Sequence, residues 1–210
     1  MGNSETKFEN VLWLGGSPCS GKTSISEILT RRFDLNVYHV DEALEKHAQS
    51  FDPKLQPALA KWSASSWEER WMQPVDDLLR DAIACYREHF ALICEDILAM
   101  PEHQSLLVEG TALLPREVAT VLPNKNQAIW IMPTADFQRG HYAQRPWVRG
   151  VVDQCSDSEM AFNNWMERDA QFARWIEAEV TARDLHLLKI DGTRTIEALT
   201  EVVAAQFELN

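Results

Sequence analysis

Apolar positions recur along this chain in two periods, and the alternation between the periods lays out the fold. Residues 11–14 (VLWL), 105–108 (SLLV) and 127–132 (QAIWIM) are short apolar runs of the kind a strand buried on both faces requires. Residues 36–40 (NVYHV) alternate and predict a strand ending at Asp41, and 185–190 (LHLLKI) predict the last strand. Between them lie helical patterns. Ile25, Ile28 and Leu29 follow the first strand. Val75, Leu78, Leu79, Ala82, Ile83, Tyr86, Phe90, Ile93 and Ile97 mark one face of a helix from near Pro74 to near Met100. At 1.5 Å per residue that helix spans about 40 Å. Phe162, Trp165, Met166, Phe172, Ala173, Ile176 and Val180 mark another, and 196–207 a closing amphipathic helix. Strands alternating with helices predict an α/β fold in three layers, its mostly parallel sheet covered on both faces.

Breakers and caps mark the joins. Pro53 and Pro57 interrupt residues 43–61, which predict a mobile, partly helical insertion. Ser65 with Glu68, Ser66 with Glu69, and Ser156 with Glu159 all have capping-box spacing. Residues 111–115 predict a turn and 116–122 a short helix. The stretch 136–150 differs in character: Arg139, His141, Arg145 and Arg149 gather there with Gly140 and Gly150, which can serve as hinges. Trp62, Trp67 and Trp71 lead into the long helix, either to stack on a ligand or to pack the insertion.

Composition narrows the function classes. A chain of 210 residues with 45% hydrophobic and 25% charged residues fits one soluble domain. No apolar run approaches the roughly 20 residues of a membrane span, so no membrane partner is expected. The net charge of −12 argues against nucleic acid as a partner. Cys19, Cys85, Cys94 and Cys155 form no C-x-x-C pair and no metal-ligand spacing with His, which fits a reduced, cytoplasmic setting. Cys19 is either a thiol open to alkylation or a small filler. The N-terminus has no apolar signal segment, and its match to M-G-x-x-x-[ST] through Gly2 and Thr6 reads as chance. Nothing in the pattern fixes an oligomeric state.

Residues 11–24 (VLWLGGSPCSGKTS) carry the strongest chemistry. Gly16, Gly21, Lys22 and Thr23 fill G-x-x-x-x-G-K-[ST], a turn whose backbone N–H groups wrap a polyphosphate at a helix start. Ser17, Ser20 and Ser24 complete the loop. Lys22 is placed to bridge β and γ oxygens of ATP, and the Thr23 hydroxyl to ligate Mg²⁺. Asp41, at a strand end on the same rim, either takes or orients the proton of an acceptor hydroxyl or caps the helix beginning at Glu42. Glu109 holds a water on the magnesium, contacts the acceptor, or bonds nearby backbone. Arg139 and Arg145, with Arg149 third, are either transition-state cations or a solvated charged helix.

The loop GGSPCSGKTS, VDE at 40–42, VEG at 108–110 and FQRGHYAQR at 137–145 resemble the P-loop small-molecule kinases of the nucleoside monophosphate kinase-like fold, which include shikimate, gluconate and chloramphenicol kinases. The resemblance implies a single domain over 1–210, with a helical acceptor-binding insertion at about 42–103 and an arginine lid at about 136–157. It makes Asp41 the base, sets Asp41, Glu109 and Arg149 against the acceptor, and brings the turn at 191–193, with Gly192, near the adenine. Asn124 and Lys125 are followed by Asn126 and Gln127, so the N-K-x-D guanine signature of switch GTPases is absent. The acceptor segment lacks the arginine pattern of adenylate kinase. The expectation is transfer from ATP to a hydroxyl of a small metabolite or antibiotic. A nucleotide-binding regulatory module and a simple NTP hydrolase stay open beside it.

Overall fold

The structure, a computed structural model, describes residues 8–101 and 105–209. Strand β1 (Val11–Gly16) leads through the glycine-rich turn into α1 (Lys22–Phe33), and β2 (Asn36–His39) runs directly into α2 (Val40–His47). Three helices follow: α3 (Pro57–Ala64), α4 (Trp67–Trp71) and the long α5 (Val75–Ala99). Then come β3 (Leu106–Gly110), α6 (Pro115–Val118), β4 (Ala128–Pro133), α7 (Ala135–Ala143), α8 (Pro146–Val152), α9 (Ser158–Ala182), β5 (His186–Ile190) and α10 (Ile196–Gln206). The match at Gly2 and Thr6, and positions 102 and 103 of the predicted insertion, lie outside the described residues.

All neighbouring strands are parallel, in the order β2-β3-β1-β4-β5. The three inner strands are buried throughout, which is why they are apolar without alternation, while β2 and β5 at the edges are partly exposed. Alternate side chains of β1 face opposite layers. Val11 and Trp13 join Phe90 and Ile93 of α5 and Phe172 and Ile176 of α9, whereas Leu12 and Leu14 join Ile25 and Leu29 of α1 and Leu199 and Val203 of α10. A third cluster unites the insertion with the arginine-rich stretch: Trp71 and Leu78 pack with Tyr142, Val148, Val152 and Trp165. The Trp71 and Trp165 rings stack at 4.3 Å, so Trp71 is core.

Several local expectations give way to longer-range contacts. β2 ends at His39, which is the N-cap of α2, so Asp41 sits inside the first helical turn and is not the cap. The Ser66–Glu69 capping box forms. Ser65 instead terminates α3. Glu68 accepts from Ser156 N and Oγ at 2.7 and 2.8 Å, which takes both residues out of their predicted boxes. Asp157 caps α9 in place of Ser156, accepting from Met160 N at 2.9 Å. The short helix expected over 116–122 is the single turn α6. Gly140 and Gly150 lie within α7 and α8, where a Cβ would meet nothing within 4 Å, so neither is a hinge. The chain breaks between them at Gln144 and Arg145, ahead of Pro146. Among the described residues no helix is long and apolar enough to cross a membrane.

Candidate functional site

The phosphate-type loop is shaped by three backbone positions. At Gly16, φ is +135° and a Cβ would fall 2.1 Å from the Ile131 carbonyl oxygen, so only glycine lets β1 leave the sheet there. Cys19 and Gly21 turn left-handed, at φ 63° and 80°, and Gly21 caps α1 without any side-chain hydrogen bond. No acid occupies the first turn of α1. The helix start therefore presents unsatisfied N–H groups and its positive dipole end to the loop. Ser17 and Ser20 are buried there, while Thr23 and Ser24 stand exposed on the first turn of α1.

Lys22 is only 6% exposed. Its ammonium donates to Ser17 O at 2.9 Å and reaches Ser20 Oγ at 3.4 Å, and among the described residues no carboxylate forms an ion pair with it. Burial pushes its pKa down, and the fields of Asp41 and then Glu109 oppose that shift. A buried cation held by neutral oxygens alone is unfavourable, and an anion above the loop would complement it. Cys19 beside it has a thiol pKa raised by burial, which fits a filler better than a nucleophile.

Glu109, at the end of β3, is buried and gathers two partners. Its Oε1 lies 3.4 Å from Thr23 Oγ1 and 2.8 Å from His39 Nδ1, in place of the backbone bonds that were one reading of it. His39 escaped sequence reasoning because only the β2–β3 register, which pairs it with Glu109, brings it there. The Thr23 hydroxyl and Glu109 carboxylate are hard oxygen donors on one rim. They fit a magnesium ion that takes its remaining ligands from phosphate and water. Among the described residues no group of three His, Cys, Asp or Glu forms a cage of its own. Asp41 stands exposed in the first turn of α2.

Arg145 lines a cavity of about 480 Å³ beside the loop, together with Ser20, Gly21, Gly192 and Arg194, and its field reaches Lys22 and Cys19. Arg139 turns instead to Asn163 Oδ1, at 2.5 Å, and lies over the Phe162 ring. Arg149 lies 3.6 Å from Asp153 and lines a second cavity with Val152 and Phe162, and Arg145 lines that cavity as well. Gly192, at φ +87°, leaves room for Phe137, whose ring would stand 2.6 Å from a Cβ there. Phe137 and His141 pack at 4.2 Å and give the cavity an aromatic wall.

Gln138 was not among the sequence candidates, yet it ties α7 to the loop. Its Nε2 donates to Ser17 Oγ and Pro18 O, both at 2.9 Å, and approaches Asp169 Oδ2 at 3.3 Å. Asp169 forms a buried ion pair with Arg168 at 2.7 Å. Burial raises the Asp169 pKa against the pull of Arg168. The one sequence signal was the spacing of Gln138 and Tyr142, four apart and both buried on the inner face of α7.

No protein-family model matches this sequence, and no curated protein matches it either. Among solved structures the chain is similar to TT1252 from Thermus thermophilus, at 13% identity over 95% of this chain and 97% of that one, with a TM-score of 0.53. It is also similar to the YorR protein of Bacillus subtilis, solved in complex with phosphorylated GDP, at 12% identity over 95% and 96% of the two chains, with a TM-score of 0.46. Likeness at such identity is one of fold. The five-stranded parallel sheet, with helices on both faces and the loop between its central strand and α1, and the Thermus likeness together give the chain a three-layer α/β fold.

Proposed function

We propose that this chain is an ATP-dependent phosphotransferase that moves the γ-phosphate to a hydroxyl of a small metabolite or antibiotic. The observation that carries the reading is Lys22: a buried ammonium with no ion-pair partner among the described residues, in the field of two acids, Asp41 in the first turn of α2 and Glu109 at the end of β3. A loop that only holds nucleotide has no need of an exposed acid opposite its lysine.

In this reading the backbone from Ser17 to Thr23 and the side chains of Ser20, Lys22 and Ser24 hold the polyphosphate. The base lies by Phe137, His141 and Gly192. Thr23 and Glu109 hold Mg²⁺, which when bound neutralises charge on the phosphate oxygens. Asp41 takes or orients the proton of the acceptor hydroxyl. Arg145 supplies the guanidinium that offsets charge in the transition state. Arg139, on α7, and Arg149, on α8, do not line the cavity beside the loop in this arrangement, so a part in transfer requires each helix to move. The insertion at 42–103 shapes the acceptor side, and 136–157 closes over it.

The test is a panel of hydroxylated compounds incubated with ATP and Mg²⁺. ADP and phosphorylated acceptor are expected in equal amounts. Asp41→Asn is expected to lower turnover by about 10²-fold or more with nucleotide binding retained. ADP release indifferent to every added alcohol would assign a plain hydrolase, and nucleotide binding without turnover a regulatory module.

A further inference from the structure

The ends of β2 and β3 are fastened to each other on both faces of the sheet. Leu107 packs in the layer of α1, and side chains two apart in a strand share a face, so Glu109 points to that layer too. The parallel register sets Val37 beside Leu107 and His39 beside Glu109, which brings the His39 ring to the same face. There His39 Nδ1 lies 2.8 Å from Glu109 Oε1, and Thr23 Oγ1, in the first turn of α1, lies 3.4 Å from the same oxygen. On the opposite face Val40 covers Gly110, where a Cβ would fall 2.4 Å from the Val40 Cβ. Among the described residues β3 is the one strand beside β2, so the ladder and these contacts decide where the end of β2 stands.

The fold makes little other use of this imidazole. His39 is the N-cap of α2, yet its side chain makes no capping hydrogen bond. The side chain is 29% exposed, whereas that of Glu109 is only 8% exposed. A carboxylate can only accept, so the ring hydrogen sits on Nδ1 and is donated to Oε1. Among the described residues both donors converge on Oε1, and Oε2 takes no hydrogen bond. The two bonds are unequal. At 3.4 Å the threonine hydroxyl stands beyond the roughly 2.5–3.0 Å of an ordinary O–H···O bond, so His39 supplies most of the restraint on the carboxylate. We propose that His39 is a positioning residue: its Nδ1–H holds the Glu109 carboxylate in the orientation that takes Mg²⁺ together with Thr23. The inference rests on Thr23 and Glu109 being the Mg²⁺ donors of the phosphotransferase site. Carboxylates that ligate metal ions are themselves hydrogen-bonded, and loss of such a bond weakens metal binding by about 10–100-fold.

Mn²⁺ serves as the probe, because it takes the same oxygen donors as Mg²⁺ and its electron paramagnetic resonance signal separates free from bound ion. It is titrated into the full chain saturated with a non-hydrolysable ATP analogue. His39→Leu is expected to raise the Mn²⁺ Kd by about tenfold or more. His39→Asn carries an amide N–H at the same remove from the backbone as Nδ1, and is expected to restore most of the affinity. Affinity for the analogue in EDTA is expected to be the same in all three proteins, whereas a variant that had lost its fold would lose that as well. A Mn²⁺ Kd unmoved by His39→Leu, or raised equally by Leu and Asn, would overturn the positioning role and leave Thr23 and Glu109 as donors. So would a loss of analogue affinity in EDTA as large as the loss for Mn²⁺. Coupling of the Mn²⁺ spin to an imidazole nitrogen in the parent would make His39 a ligand and overturn it too. No Mn²⁺ bound by the parent with the analogue present would remove the metal reading itself, and the positioning role with it.

Discussion

Gln138 Nε2 stands 2.9 Å from Ser17 Oγ, so the first helix of the arginine-rich stretch is bonded to the loop it was expected to swing over. The same nitrogen lies 2.9 Å from Pro18 O and 3.3 Å from Asp169 Oδ2, so the two N–H groups of Gln138 are shared among three buried or half-buried acceptors. Gln138→Leu keeps the volume and strips the donors. It is expected to cost about 1–3 kcal/mol of stability in urea denaturation, the usual penalty for an acceptor left buried and unpaired. ATP affinity measured on the same variant is expected to fall about tenfold as Ser17 loses its anchor. Unchanged affinity would mean that the loop keeps its shape without α7.

Lys22→Met exchanges a buried cation for an apolar side chain of similar length. Because desolvation already depresses the Lys22 pKa, the variant without nucleotide is expected to melt no lower than the parent. With ATP at 100 times its Kd, mass action stabilises the parent by about 2.7 kcal/mol, or roughly 5–10 °C in Tm for a chain of this size. The variant is expected to show none of that shift. A retained shift would detach nucleotide binding from Lys22.

Gly140→Ala and Gly150→Ala separate a helix interior from a hinge. Both sites are helical, with open space where a Cβ would go. Each substitution is expected to raise stability by about 0.5–1 kcal/mol in chemical denaturation and to leave turnover unaltered. Loss of turnover without a gain in stability would restore the hinge.

What could be read from the chain was local. Strands β1, β3 and β4 were legible because burial on both faces leaves unbroken apolar runs. The loop was legible because its glycines serve turns defined within a few residues. His39 and Gln138 depend on strand register and on the docking of α7, which no window of sequence contains. Arg139, Arg145 and Arg149 lie close in sequence but sit on α7, at the break before Pro146, and on α8, and only Arg145 lines the cavity beside the loop, so a common role was read where the placements differ. Ser156 shows the same limit, since its capping spacing to Glu159 lost to a carboxylate on α4.

His89 gives the fold a predictable acid side. Tyr38 donates to Asp96 Oδ2 at 2.6 Å, His47 Nε2 lies 3.1 Å from the same oxygen, and His89 Nε2 lies 3.0 Å from His47 Nδ1. With the carboxylate accepting from His47 Nε2, His47 Nδ1 is left to accept from His89 Nε2. His89 Nδ1 is then unprotonated, and it is buried without a partner. Burial, and then the His47 ring, push the His89 pKa down to about 4. Above the unfolded value near 6.5 both states are neutral and its contribution is fully present. Between about 6.5 and 4 the unfolded chain takes a proton that the fold refuses, so stability falls with pH and levels off below. The gap corresponds to about 3 kcal/mol. His89→Gln can still donate to His47 and does not titrate. Urea denaturation of both proteins at pH 7 and pH 4 is expected to show the parent losing about 3 kcal/mol more than the variant. Parallel losses would place the acid sensitivity elsewhere in the fold.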